Sequence, residues 1–205
     1  ITPPGTSWTE NSYFGAQVAI MGNHAVVTAY SYDDTVNNTT DEGIVYVYNT
    51  ETSALLGTLN NPRTGSLTSN RFGSSVDISE DYFIIGSPYI SEYPAGIWNV
   101  DTHVNSGEIY IFSRTDFSHI QTISNPNAFG GHENDHFGYS VAISGDYAIG
   151  GAYQEDDEDA LSQTPGSNSG KVYIFDSVPR LVGASPTLDS IILSSSNQDP
   201  TNAVE

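Results

Sequence analysis

Short runs of β-branched and aromatic residues recur along the chain, each bounded by Gly, Asn, Asp or Pro. Such punctuation is what strands joined by turns produce, and no window sustains a helical period. The runs also recur in a fixed order. Phe14-Gly15, Phe72-Gly73 and Phe137-Gly138 open three units, 58 and 65 residues apart. Behind each lies a first apolar segment (Val18-Ala19-Ile20, Val76-Asp77-Ile78, Val141-Ala142-Ile143) and a short polar turn at Gly22-Asn23, Glu80-Asp81 or Gly145-Asp146. These turns suit tight hairpins, where Gly, Asn and Asp tolerate positive φ. A second run follows, Ala25 to Ala29, Phe83 to Ser87 and Ala148 to Ala152. An aromatic residue and a long polar loop come next, and each loop ends in Gly ahead of a third run: Ile44 to Tyr48, Glu108 to Phe112 and Lys171 to Phe175. The first two units close with Leu55 to Leu59 and His119 to Ile123, followed by Asn61-Pro62 and Asn125-Pro126.

The third runs alternate. Tyr46 with Tyr48, Tyr110 with Phe112, and Tyr173 with Phe175 take one face; Val45, Val47 and their counterparts take the other. The second runs are apolar at consecutive positions, so both their faces are expected to be buried. Sheets that are apolar front and back must be sandwiched, and four antiparallel strands repeated face to face describe propeller blades. The predicted fold is all-β: a β-propeller-like array of three four-stranded antiparallel blades. Residues 1–62 form the first blade, 63–126 the second and 127–193 a third with an atypical closing strand, leaving 194–205 as a polar tail or linker. Either Val178 to Gly183 or Leu188 to Leu193 is expected to supply that closing strand. Propellers close with about 4 to 8 blades. The array is therefore incomplete by itself, and its end faces are expected to be covered by missing blades, a second chain, other subunits or the C-terminal segment.

Composition narrows the function. Lys+Arg number 5 against Asp+Glu 25, a net charge of −20. Direct nucleic-acid binding through a basic surface is excluded, and docking on anionic lipid is disfavoured. With 37% hydrophobic residues the chain can bury a core. It has no cysteine, which removes disulfides, thiolate metal sites and cysteine nucleophiles. No apolar run reaches the roughly 18 residues of a membrane-spanning helix, so membrane insertion is not expected. The start Ile1-Thr2-Pro3-Pro4 is unlike a signal peptide and suggests a processed chain or part of a longer one.

At the Phe-Gly openings, and at Gly86-Ser87-Pro88 and Gly151-Ala152-Tyr153, the chain resembles the FG-GAP repeats of integrin-alpha-like β-propellers over about residues 11–178. Gly-Ala-Tyr with an acidic loop and Asn168-Ser169-Gly170-Lys171 is similar to repeats in surface and virion proteins of marine bacteria and their tailed phages. The resemblance implies a propeller-type module on a virion or extracellular surface. The integrin-type calcium loop between the first and second strands is replaced here by two-residue turns.

Several side-chain groups are candidates for chemistry. The loops between second and third strands are acidic, holding Asp33, Asp34, Asp41 and Glu42, then Glu92 and Asp101, then the run Glu155 to Asp159. Crowded carboxylates repel unless a hard cation joins them, so Asp33, Asp34, Asp41, Asp156, Asp157 and Asp159 are the candidate Ca2+ ligands; the alternative is a hydrated acidic rim. No other cofactor is expected. His132-Glu133-Asn134-Asp135-His136 matches H-E-x-x-H, but that zinc site needs a helix, and here the sequence sits in a pre-strand loop. Paired acids in hydrophilic loops lack the apolar pocket a glycosidase acid requires. Tyr30, Tyr89, Tyr93, Trp98 and Tyr153 lie in or beside the same loops, placed to stack on sugars, anchor a protein partner or pack their own loops. Asn37 and Asn38 fit the N-glycosylation pattern.

The function expected is a non-catalytic structural or binding module, most specifically a capsid decoration or fibre protein of a marine tailed phage. It would work as a homo-oligomer or within a larger assembly, with a carbohydrate or cell-surface receptor as ligand. A calcium-dependent bacterial adhesin and a polysaccharide-acting hydrolase or lyase are the alternatives.

Overall fold

Strands form where the runs predict them. The computed structural model describes residues 1–4, 11–34, 39–63, 69–91, 105–126, 134–155 and 170–176. Among these residues there are no helices, and eleven strands fall into three antiparallel sheets. The first sheet joins β1 (Val18–Met21), β2 (His24–Ala29), β3 (Ile44–Asn49) and β4 (Leu55–Asn60). The second joins β5 (Ser75–Ile78), β6 (Tyr82–Ser87), β7 (Glu108–Ser113) and β8 (His119–Ser124). The third joins β9 (Phe137–Ser144), β10 (Tyr147–Ala152) and β11 (Lys171–Phe175). Both apolar patches proposed for the closing strand of the third unit lie outside the described residues.

The repeat holds down to register. Val26 pairs with Val47, Ile84 with Ile111 and Ile149 with Ile174. A bulge sits at the same place in the first two sheets, between Val47 and Tyr48 and between Ile111 and Phe112. The two-residue turns differ. Gly22 and Gly145 take left-handed φ values of 56° and 55°, as a hairpin turn with glycine at its first central position requires. Glu80-Asp81 has no positive φ; there Ser79 closes the turn, its N–H donating to the Tyr82 carbonyl and its Oγ accepting from the Tyr82 N–H.

Alternation decides the stacking. In each sheet the ring-bearing positions of the third strand define a leading face, and the Val or Ile positions between them a trailing face. Val26, Val45, Val47 and Leu59 on the trailing face of sheet one pack against Phe72, Phe83, Ile85, Tyr110 and Phe112 on the leading face of sheet two. Ile84, Ile109 and Ile111 on the trailing face of sheet two pack against Phe137, Ile143, Ala148, Tyr173 and Phe175 of sheet three. Both junctions thus set aliphatic side chains against aromatic rings, and the phenylalanine of Phe-Gly lies edge-on to the rings of its own third strand, 5.4 Å from Tyr110 in one unit and 5.6 Å from Tyr173 in the next.

The Phe-Gly loops fasten these junctions. The N–H groups of Arg71 and Phe72 donate to the carbonyls of Asp41 and Glu42 in the preceding unit, and those of His136 and Phe137 to Asn105 and Ser106. The loop end that accepts them closes in Gly43 or Gly107, both with φ of 85°. A Cβ there would lie 2.1 Å from the Phe72 carbonyl oxygen or 2.0 Å from that of Phe137. This close approach of two backbones is the physical reason each long loop ends in glycine.

Because the strands alternate up and down, the Phe-Gly openings and the described ends of the loops between second and third strands gather at one end of the stack. The short turns gather at the other. There Arg114, in the turn after β7 of the second unit, donates from Nη2 to the Met21 carbonyl of the first sheet and from Nε to His24 Nδ1.

Candidate functional site

The loop end is built by one local device used three times. The residue before Phe-Gly is left-handed in every unit: Tyr13 at φ 54°, Arg71 at 52° and His136 at 57°. The residue two places earlier is left-handed as well, namely Asn11, Ser69 and Asn134. Paired reversals turn the side chain before Phe-Gly toward the loop aromatic of its own unit. Tyr13 stacks on Tyr30 with centroids 5.3 Å apart and planes 9° from parallel. The Arg71 guanidinium lies 4.6 Å over the Tyr89 ring, a cation–π contact. His136 stacks on Tyr153 at 5.3 Å.

Between the second and third units these pairs merge. Tyr89 meets His136 edge-on at 4.9 Å, and Tyr139 meets Tyr153 at 4.4 Å. The result is a continuous row, Arg71–Tyr89–His136–Tyr153–Tyr139, running across the junction and ending in two exposed rings, with the exposed Tyr13 of the first unit at the same end of the fold. Of the aromatic candidates from the sequence, Tyr30, Tyr89 and Tyr153 therefore take part in ring stacks, while Tyr93 and Trp98 lie outside the described residues. Tyr13, Arg71, His136 and Tyr139 were missed. Their signal was the position immediately before or after Phe-Gly in each unit.

The acidic loops divide differently. Asp33 accepts the Asp41 N–H at 2.8 Å, and the Asp34 carbonyl accepts the Thr39 N–H, so these residues hold the first loop in shape. Asp156, Asp157 and Asp159 lie outside the described residues. Among the described residues no three His, Asp or Glu side chains gather in a metal-binding arrangement. Three acids read as hydrated or unremarked are in fact interior. Glu42 is buried and accepts the Thr39 hydroxyl at 2.6 Å; burial, reinforced by Asp34, raises its pKa against that hydrogen bond. Glu155 is fully buried, 3.8 Å from Lys171 Nζ and 3.4 Å from Asn125 Nδ2. Glu108 accepts from Arg63, at the start of the second unit, at 2.9 Å and from the Tyr110 hydroxyl. Scarce cations are thus spent at unit junctions and loop bases, a pattern that net charge alone conceals.

The H-E-x-x-H stretch is not helical where it is described. Asn134 and His136 are left-handed, Asp135 is buried against Asn125 Nδ2 at 3.0 Å, and His136 is committed to the aromatic row. His132 and Glu133 lie outside the described residues.

Burial holds the pKa of His24, His119 and His136 below the ordinary histidine value, with Arg114 adding to the effect at His24. A histidine lowered in the fold is protonated first in the unfolded chain. Its stabilising contribution is complete above about pH 6.5 and is lost as pH falls through the lowered value. Glu42 acts in the opposite sense, contributing most below its unfolded value near pH 4.5. We expect the melting temperature to fall between pH 7 and 5, by roughly 2–4 °C for each kcal/mol lost in a chain of this size. His136→Asn, which tolerates the left-handed backbone, should flatten that slope. An unchanged pH profile would show that His136 does not couple to stability.

Comparison with known families agrees with the geometry. The sequence profile of the FG-GAP repeat matches residues 8–48, 65–112 and 128–175, one match for each unit. A search of the curated proteins finds no match to the chain. FG-GAP repeats build propeller-type binding or structural modules and are generally non-catalytic. Three matches cover well over half of the sequence and coincide with the three stacked sheets, each opened by its Phe-Gly loop: the chain belongs to the FG-GAP repeat family.

Proposed function

We propose that the chain is a non-catalytic recognition module displayed on a virion or cell surface, and that its loop end binds a neutral carbohydrate through the aromatic row. The observation that carries this reading is the row itself: Tyr89, His136, Tyr153 and Tyr139 in unbroken ring contact, with Tyr153 and Tyr139 exposed. Rings already stacked lose little side-chain freedom on binding, and they offer apolar faces to the C–H face of a sugar. The charge of −20 disfavours anionic polysaccharides and leaves neutral glycans as the matching class. Placement on a virion, as a capsid decoration or fibre protein, is supported by the resemblance of the third unit's Gly-Ala-Tyr loop to repeats in such proteins.

Titration with a panel of neutral oligosaccharides, followed by intrinsic fluorescence, tests the reading. Saturable binding is expected, weakened about tenfold by Tyr153→Ala, or about 1.4 kcal/mol. No binding across the panel, or binding indifferent to both Tyr153→Ala and Tyr139→Ala, would overturn it.

A further inference from the structure

The two ends of the stack carry the two halves of the junction that is made twice inside it. On the trailing side, Val26 and Ile84 are 0% exposed, whereas Ile149 at the same register position of the third sheet is 38% exposed. Val45 and Ile109 are likewise 0% exposed and their counterpart Val172 is 39% exposed. On the leading side, Ile78 and Ile143 are 3% and 7% exposed, while Ile20, the equivalent in the first sheet, is 70% exposed, with Val18 beside it at 68%.

The backbone repeats the message. Gly170 has φ 75° and donates its N–H to the Glu155 carbonyl at 2.9 Å, as Gly43 donates to Tyr32 and Gly107 to Ile90. Gly43 and Gly107 each face the backbone of the next unit's phenylalanine; the described atoms nearest a Cβ on Gly170 belong to the backbone of Tyr153 in its own unit. Reciprocally, a Cβ on Gly73 would meet Val45 and Thr28, and one on Gly138 would meet Glu108 and Ile109, but among the described residues one on Gly15 would meet nothing within 4 Å. Gly15 has the same loop geometry, φ 89° against 91° and 83°. Among the described residues, a Phe-Gly loop without a seat and a glycine seat without a loop stand at opposite ends of the stack.

We propose that the occupant of each end is a second copy of this chain, docked head to tail, with the leading face of one copy's first sheet on the trailing face of the other's third. The argument is continuity with an established interface: the aliphatic-to-aromatic packing and the Phe-Gly-on-glycine contact are those of both internal junctions. Each copy carries both halves, so the contact is heterologous, and two such contacts close six sheets into a ring within the range propellers adopt. The charge of −20 on each copy opposes association at low salt; screening over about 10 Å at 0.1 M salt relieves it.

Native mass and sedimentation of the 205-residue chain over a concentration series in 0.15 M and 0.5 M NaCl test the proposal. A dimer favoured by salt is expected. Ile20→Glu and Ile149→Glu, both at exposed positions, should each give monomers with an unchanged circular dichroism spectrum. An equimolar mixture of the two should dimerise again, because each variant keeps one intact face. A monomer under all conditions, as when the C-terminal segment or another protein covers the faces, overturns the proposal. So does a multimer indifferent to both substitutions, or a mixture that stays monomeric.

Discussion

Gly107→Ala should lower stability by about 2–5 kcal/mol, a large share of what a domain of this size possesses. Two costs combine. Gly107 sits at φ 85°, where an L-residue costs roughly 1–2 kcal/mol. Its new Cβ would also lie 2.0 Å from the Phe137 carbonyl oxygen, an overlap that relaxes only by drawing the third unit's loop away from the second sheet, at about 1–3 kcal/mol. That movement breaks the hydrogen bonds from His136 and Phe137 to Asn105 and Ser106. Urea denaturation measures the loss. Gly170→Ala is the matched control at dilutions where the chain is monomeric: it carries similar backbone strain at φ 75° but meets its nearest described atom at 3.0 Å. Equal effects of the two substitutions would mean that conformational strain, and not the seating of the next loop, explains the glycine.

Phe137→Ala should cost about 3–5 kcal/mol. The ring is fully buried between the second and third sheets, edge-on to Tyr173 and Phe175. It also fills the space above Gly150, whose hypothetical Cβ would lie 2.6 Å from it. Backbone on both sides fixes the loop, so the cavity left by alanine cannot collapse easily. Phe72→Ala should match it, since Phe72 is equally buried against Tyr110 and Phe112. Phe14→Ala in the monomer should cost clearly less, because Phe14 is only half-buried and packs on Tyr46 of its own sheet, with none of the other described sheets against it. A flat response across the three phenylalanines would contradict the unequal environments of the three units.

The fold was legible because one pattern was written three times. Strand order, the two faces of the third strands and the boundaries near Phe14, Phe72 and Phe137 follow from period-two alternation and from glycine. The direction of stacking was not legible. Whether Val45 meets an aromatic or an aliphatic face depends on which way the Phe-Gly loop reaches, and that is set by left-handed residues such as Arg71 and His136, which local propensity does not favour. The candidate site was legible in part. Loop aromatics announced themselves by position, but Tyr89 and Tyr153 become one row only because His136 turns between them. The interior roles of Glu108 and Glu155 were hidden for a related reason: their partners Arg63 and Asn125 lie 45 and 30 residues away and are brought close only by the tertiary fold.

Amide hydrogen exchange at Phe72 and Phe137 tests most directly whether the units lock together as described. Both N–H groups donate across a junction, to Glu42 and Ser106 of the unit before. Stacked units predict protection of these two amides comparable to that of the central strands β6 and β10. Exchange of either amide at the rate of an unstructured peptide, while the strands stay protected, would show sheets that fold separately without docking.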